Sequence, residues 1–241
     1  QETLRKETFP SYLDDALRYA EETKDWDADS RFRYPMEASY LLYGAAWHVR
    51  DADWLERVKE AVRGKSLTYP SNYAHFVMEG MGTEPTARAN YFSERYLKDM
   101  LGAESTKVMV KTDDPGISLG AVDALADAGV KYLMLRFNDP DWETAFGTTN
   151  LAYPKLFYLL GKGGRNKLLV YDGPRYALEE YEFDFKNSDT AAVVRNITNH
   201  IWRAETEDYP YDALIQQFTT PWDNNGITPQ VKNNIKALND R

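Results

Sequence analysis

Lys107-Val108-Met109-Val110-Lys111-Thr112-Asp113-Asp114-Pro115-Gly116 runs an apolar strand straight into two acids and a Pro-Gly turn. Lys107 to Val110 has the branched and apolar side chains that suit a pleated, buried surface. Ser118 to Gly129 then reads as a helix with Gly129 as its stop, and Tyr132 to Leu135 as the next strand. Strand, turn, helix and strand in that order predict parallel strands joined by a crossover helix.

The same alternation extends outward in both directions. Upstream, the spacing predicts a helix from Pro10 to about Trp26, with Leu13, Leu17 and Ala20 on one face. A short strand follows at Arg31 to Tyr34, then helices at Met36 to Val49 and Ala52 to Val62. Lys65 to Tyr69 reads as a strand stopped by Pro70, and Pro85 to Met100 as a helix. Downstream, Leu156 to Leu160 and Lys167 to Tyr171 flank a turn rich in glycine (Gly161, Gly163, Gly164). Thr190 to Glu205 reads as a helix, Asp212 to Phe218 as a strand and Pro229 to Leu238 as a final helix. Neither repeats nor linkers interrupt residues 1–241, so a single α/β domain is expected. A doubly wound sheet and a barrel both fit. No Gly-x-Gly-x-x-Gly follows an early strand and no phosphate-binding Gly-x-x-x-x-Gly-Lys-Ser/Thr is present, which argues against nucleotide folds.

Composition narrows the chemistry. The 241 residues carry a net charge of −9, which argues against nucleic acid or an anionic membrane surface as partner. Cys is 0, so disulfides, thiolate metal sites and cysteine nucleophiles are excluded together. No apolar run nears the roughly 20 residues of a membrane span, and no basic-then-apolar leader opens the chain. A soluble protein is expected, its compartment left open. Gln1 stands where an initiator methionine would, which reads as a processed protein or a fragment.

Two acids stand after strands, where a barrel presents its chemistry. Asp113 follows the Lys107 strand; a carboxylate there can attack an anomeric carbon, bind a divalent metal, or cap the next helix. Asp223 follows Leu214 to Phe218, within Pro221-Trp222-Asp223-Asn224-Asn225-Gly226, and is either a partner carboxylate or part of a turn. Trp222 and Tyr73 fall in loops and offer flat faces for a sugar ring. Of the 3 histidines, only His75, near Asn72, falls in a loop; none forms a His-x-x-x-His or His-Glu-x-x-His pattern. No Gly-x-Ser-x-Gly elbow supports serine hydrolysis.

Met100 to Ala103, Asp113 to Gly116 and Ala124 to Leu133, in this order, resemble the catalytic N-terminal domain of glycoside hydrolase family 38, the α-mannosidases, and their bacterial relatives. Ala16 to Glu22, Phe32 to Leu42 and Lys65 to Tyr73 extend the resemblance upstream, and Asp208 to Asp212 with Asp223-Asn224 extend it downstream. It implies a seven-stranded (β/α) barrel and a retaining, zinc-dependent hydrolase of α-mannosides. It implies that Asp113, three residues before Gly116, is both nucleophile and zinc ligand, with Asp114 as the other register. Asp223 is the nearest match to the general acid/base, although Asn224 equally occupies that position. Asn72, Trp222 and Asn224 would line the sugar subsite.

The chain departs from the family at three points. The family's opening strand supplies a His-x-Asp pair of zinc ligands, and Gln1 begins after it. Ile117 stands where a histidine usually follows the turn glycine. A further zinc-binding histidine lies beyond the family barrel's end. A barrel incomplete at both ends is therefore expected, with exposed strand edges that would pair with another copy or with segments outside this chain. Two other readings remain. One is a non-catalytic carbohydrate-binding or scaffolding relative. The other is a polysaccharide deacetylase, for which Thr112-Asp113-Asp114 fits and the His-x-x-x-His is missing.

Overall fold

The stretch Val108–Thr112 forms β3, flanked on one side by β4 (Tyr132–Arg136) in parallel register, Val108 opposite Tyr132 and Thr112 opposite Arg136. The structure is a computed structural model, and it describes residues 9–42, 51–112, 116–136, 155–172, 189–206, 209–213 and 228–240. Between β3 and β4 runs α5 (Leu119–Asp127), the expected crossover helix. It is preceded in the chain by α1 (Phe9–Glu22), α2 (Ala52–Arg63), α3 (Thr83–Arg88) and α4 (Lys98–Leu101), and followed by α6 (Thr190–Thr206) and α7 (Pro229–Asn239).

β4 pairs in parallel with β6 (Lys167–Asp172), and β6 pairs antiparallel with β5 (Lys155–Leu160). The expectation of parallel strands therefore fails at β5. The turn from Gly161 to Asn166 is too short for a crossover, which needs about a dozen residues, so it closes a hairpin. On the other side, β1 (Tyr34–Pro35) pairs in parallel with β2 (Leu67–Thr68). Beyond β2 the backbone goes on to meet β3: Thr106 N–H donates to Tyr69 O at 3.0 Å and Ser71 N–H to Val108 O at 2.8 Å. The strands form a pair, β1-β2, and a sheet of four in the order β3-β4-β6-β5, with these two hydrogen bonds bridging them. Among the described residues β1 and β5 stand at the two ends and do not pair with each other.

Strand alternation sorts the side chains into two faces. Met109, Leu133, Val170 and Phe157 face one another across four strands. With Leu135 and Leu168 they pack against Val122 and Leu125 of α5. Met109, Val122, Leu125, Leu135, Leu168 and Val170 are 0 % exposed, each stabilising the fold by roughly 2 kcal/mol relative to an exposed position. A second core joins Leu13 and Leu17 of α1, Trp54 and Val58 of α2, Leu67 and Tyr69 by β2, and Leu97 and Leu101. The first helix of this core ends at Glu22, short of Trp26. α2 is capped by Asp51, whose carboxylate accepts from Trp54 N–H at 2.9 Å.

Two expected helices are corrected. Met36 to Ala38 is not helical, because Met36 N–H donates to Thr68 O at 2.9 Å and so prolongs the β1–β2 ladder. Helix begins only at Tyr40, and residues 43–50 of that expected element lie outside the described residues. Pro85 to Met100 is also not one α-helix. It breaks after Arg88, where Ala89 gives its carbonyl to Tyr73 N–H at 3.2 Å, and resumes as a π-helical turn over Phe92–Leu97 before α4. Of the strand expected at Asp212 to Phe218, Asp212 and Ala213 are irregular and the rest lies outside the described residues.

α7 returns to the start of the fold. Lys232 Nζ meets Glu22 at 2.9 Å and holds that carboxyl below the usual carboxylate range, first by its hydrogen bond. Lys232 and Lys236 lie 5.6 and 5.7 Å from the Trp26 ring, and Asn239 donates to Asp29 O at 2.9 Å.

The β5–β6 hairpin is seated on α5 through a close approach. A Cβ at Gly161 would overlap the Asp123 carboxylate, which also receives Gly163 N–H at 3.4 Å. Gly161→Ala is expected to cost about 1–3 kcal/mol, read as a lower urea midpoint. Asp123→Ala in the same chain should recover most of that loss.

Candidate functional site

β3 stops at Thr112, so Asp113 follows directly on the C-terminal end of a parallel strand. This is where α/β folds gather ligands and catalytic groups. The chain is next described at Gly116, which takes a φ of 68°, a left-handed conformation that glycine adopts without strain. Ser118 then caps α5, its Oγ accepting from Ala121 N–H at 3.1 Å. The capping role that one of the two acids was free to fill is thus taken by Ser118. Asp113, Asp114, Trp222, Asp223 and Asn224 themselves lie outside the described residues.

Asn72 is described, and its surroundings explain its place. It is 0 % exposed. Its Nδ2 donates to Glu37 O at 3.2 Å and to Ala74 O at 3.3 Å, and its Oδ1 accepts from Val110 N–H at 2.9 Å. One amide therefore bolts the chain after β1, the chain after β2 and the body of β3 together. Its described partners are all backbone groups, so the visible work of Asn72 is to position the strand ends.

Lys111, on the same face as Met109, is also 0 % exposed. Its ammonium donates to Phe76 O at 3.1 Å, a second bolt between β3 and the turn after β2. Between the two bolts lies His75. Its Nε2 is 3.6 Å from Glu37 Oε1, and the two side chains are 29 % and 42 % exposed. Burial, then the nearby Glu37 charge, push the Tyr34 phenol up to about 12. Tyr73 sits edge-to-face with Tyr40 at 6.1 Å and with Phe92 at 4.7 Å.

The opposite end of β3 is held by a different cluster. Ser71 Oγ donates to Glu94 Oε1 at 2.8 Å, and the same carboxylate takes the Ser105 hydroxyl and the Lys107 ammonium. This cluster fixes the start of the strand. It stands away from the end that leads to Asp113.

Sequence reasoning considered His75 but missed its partner Glu37, because a helix was expected from Met36. The strand already read at Arg31 to Tyr34 was the usable signal, since a chain that enters Pro35 extended can stay extended past it and carry Glu37 beyond the strand's end. The burial of Lys111 had no such signal. A lysine within a strand reads as solvated until its neighbours are known.

Among the described residues, no three His, Asp or Glu side chains converge on a point that would hold a metal ion. These residues therefore do not form a zinc site by themselves. No helix among them is long and apolar enough to cross a membrane.

No protein-family model matches the chain, and no curated protein matches it. Solved structures do match. A protein of glycosyl hydrolase family 38 from Enterococcus faecalis aligns over 95 % of this chain and 22 % of its own, at 12 % identity and a TM-score of 0.59. An α-mannosidase from Enterococcus faecalis V583 aligns over 82 % of this chain and 20 % of its own, at 12 % identity and a TM-score of 0.57. A 4-α-glucanotransferase from Thermococcus litoralis aligns over 76 % of this chain and 28 % of its own, at 13 % identity and a TM-score of 0.51. The chain spans about a fifth of the length of the first two proteins. What it shares with all three is an α/β fold, and that fold is the one found in family 38 glycosyl hydrolases.

Proposed function

We propose that this chain forms part of a glycoside hydrolase acting on α-linked sugars, with α-mannosides as the preferred substrates. The observation that carries the reading is β3: a parallel strand, buried from Met109 to Thr112, that leads directly into Asp113, in a fold shared with family 38 proteins. Asp113 would be the nucleophile of a double displacement. Its carboxylate attacks the anomeric carbon, the glycosidic oxygen leaves with a proton from Asp223, and water then releases the sugar with the anomeric configuration retained. Trp222, Asn224 and Asn72 would bound the sugar subsite, Asn72 by holding the strand ends.

Zinc enters this reading only through the family resemblance. An ion at this site would need Asp113 together with ligands beyond the described residues, and no step above runs through it. Barrel closure stands on the same footing. The first experiment is a panel of chromogenic glycosides, assayed with added zinc and then with chelator. Chelator-sensitive release from α-mannoside supports the hydrolase and the metal together. Release that chelator leaves untouched supports a hydrolase without the metal, and silence across the panel rejects this chain as an active hydrolase.

A second reading rests on Ile117, which packs against the core cluster of the sheet where the family usually has histidine. It is a carbohydrate-binding relative that has lost turnover. Sugar binding without release in the same panel would favour it.

A further inference from the structure

Thr112 closes β3 and leads into Asp113. Strand alternation gives it the face of Val110, which continues across the sheet through Met134 and Tyr171 and is turned away from the helix α5. It is 1 % exposed, and its Oγ1 has no hydrogen-bond partner among the described residues. The polar groups just before it are satisfied. Val110 N–H donates to Asn72 Oδ1 at 2.9 Å, and the Lys111 ammonium donates to Phe76 O at 3.1 Å. The strand is thus bolted in place, and one hydroxyl between the bolts and Asp113 is left over.

Packing does not account for that hydroxyl. Valine has the same branched shape, suits a buried strand at least as well and carries no polar atom to desolvate. A threonine here is a local loss that the free chain carries. Such a loss is recovered when a ligand supplies the missing partner. The place suits one, because the C-terminal ends of parallel strands are where α/β folds bind ligands, and local losses of this kind gather at functional sites.

The chemistry of the group narrows the ligand. A hydroxyl offers one donor and two acceptor sites and no charge. It pairs well with another neutral hydroxyl, whereas an anion is served better by a cationic side chain or backbone N–H groups. A sugar whose anomeric carbon is brought to Asp113 presents such hydroxyls. The Thr112 hydroxyl is covered in the free chain, so it meets the ligand as the floor of the site, after side-chain adjustments of the ordinary kind.

We propose that Thr112 Oγ1 is a specificity-determining contact, hydrogen-bonded to a hydroxyl of the sugar that occupies the site at the end of β3. This deepens the glycoside reading, on which it rests for its substrate class. The test is titration of the whole chain with methyl α-mannoside, followed by amide NMR, alongside urea denaturation without sugar. It compares the wild type with Thr112→Val and Thr112→Ser. Thr112→Val should weaken binding about tenfold while its urea midpoint stays at or above that of the wild type. Thr112→Ser keeps the hydroxyl and loses a buried methyl, so its binding should stay within threefold of wild type while its midpoint falls. Affinity and stability should therefore move in opposite directions in the two variants.

Binding by Thr112→Val within threefold of wild type overturns the proposal. So does a midpoint of Thr112→Val below wild type, which would mean that the hydroxyl already has a partner, such as an ordered water, in the free chain. If the wild type cleaves α-mannoside while Thr112→Val leaves KM and binding unchanged, the contact is wrong and the hydrolase stands. If the wild type cleaves nothing yet binds the sugar, with affinity lost in Thr112→Val and kept in Thr112→Ser, the hydrolase is wrong and the contact stands. A wild type that neither binds nor cleaves sinks both.

Discussion

Asp113→Ala is expected to lower turnover of a chromogenic α-mannoside by roughly a thousandfold or more, about 4 kcal/mol of transition-state stabilisation. The strand that precedes it should be unaffected, since β3 is buried through Thr112 and Ser118 caps the helix that follows. Circular dichroism and the thermal midpoint should therefore match wild type. A nucleophile also leaves a chemical signature. Azide added to the alanine variant should enter the vacated space and attack the anomeric carbon, displacing the chromophore and leaving the sugar as a glycosyl azide of inverted configuration. Rescue would assign the nucleophile to Asp113 and remove the Asp114 register. An alanine variant that keeps more than a tenth of wild-type turnover would eliminate Asp113 from the chemistry.

Asn72→Ala carries the second large effect, and it falls on stability. The change removes three hydrogen bonds and leaves a buried backbone N–H at Val110 and a carbonyl at Glu37 without this partner. Roughly 3 kcal/mol of lost stability follows, read by urea denaturation. The loss should appear without any sugar present. A side chain that served the ligand alone would behave in the opposite way, with unchanged stability and weakened binding. Asn72→Asp should be damaging too, because a carboxylate cannot donate to Glu37 O and Ala74 O.

These two residues mark the limit of what a linear reading reaches. The importance of Asp113 was legible because a strand, an acid and a Pro-Gly turn are local features, read within ten consecutive residues. The helices α1, α2, α5 and α7 were legible for the same reason, through periodicity and a capping residue or proline at the start. The errors arose where a partner distant in sequence decided the conformation. Met36 leaves its expected helix because Thr68 offers a carbonyl, and the helix from Pro85 breaks where Ala89 serves Tyr73. β5 runs against its neighbours because the turn before β6 cannot cross over the sheet.

The sequence by itself determined the α/β class, the absence of cysteine chemistry and the strand that leads into Asp113. These depend on composition and on contacts between near neighbours in the chain. Only the tertiary structure decided that Asn72 joins three segments, that Lys111 is buried against Phe76 O and that His75 faces Glu37. Glu37, Asn72 and Lys111 are 35 and 39 residues apart in succession. No local propensity brings them together; the parallel ladder and the loss of unpaired backbone groups on burial do.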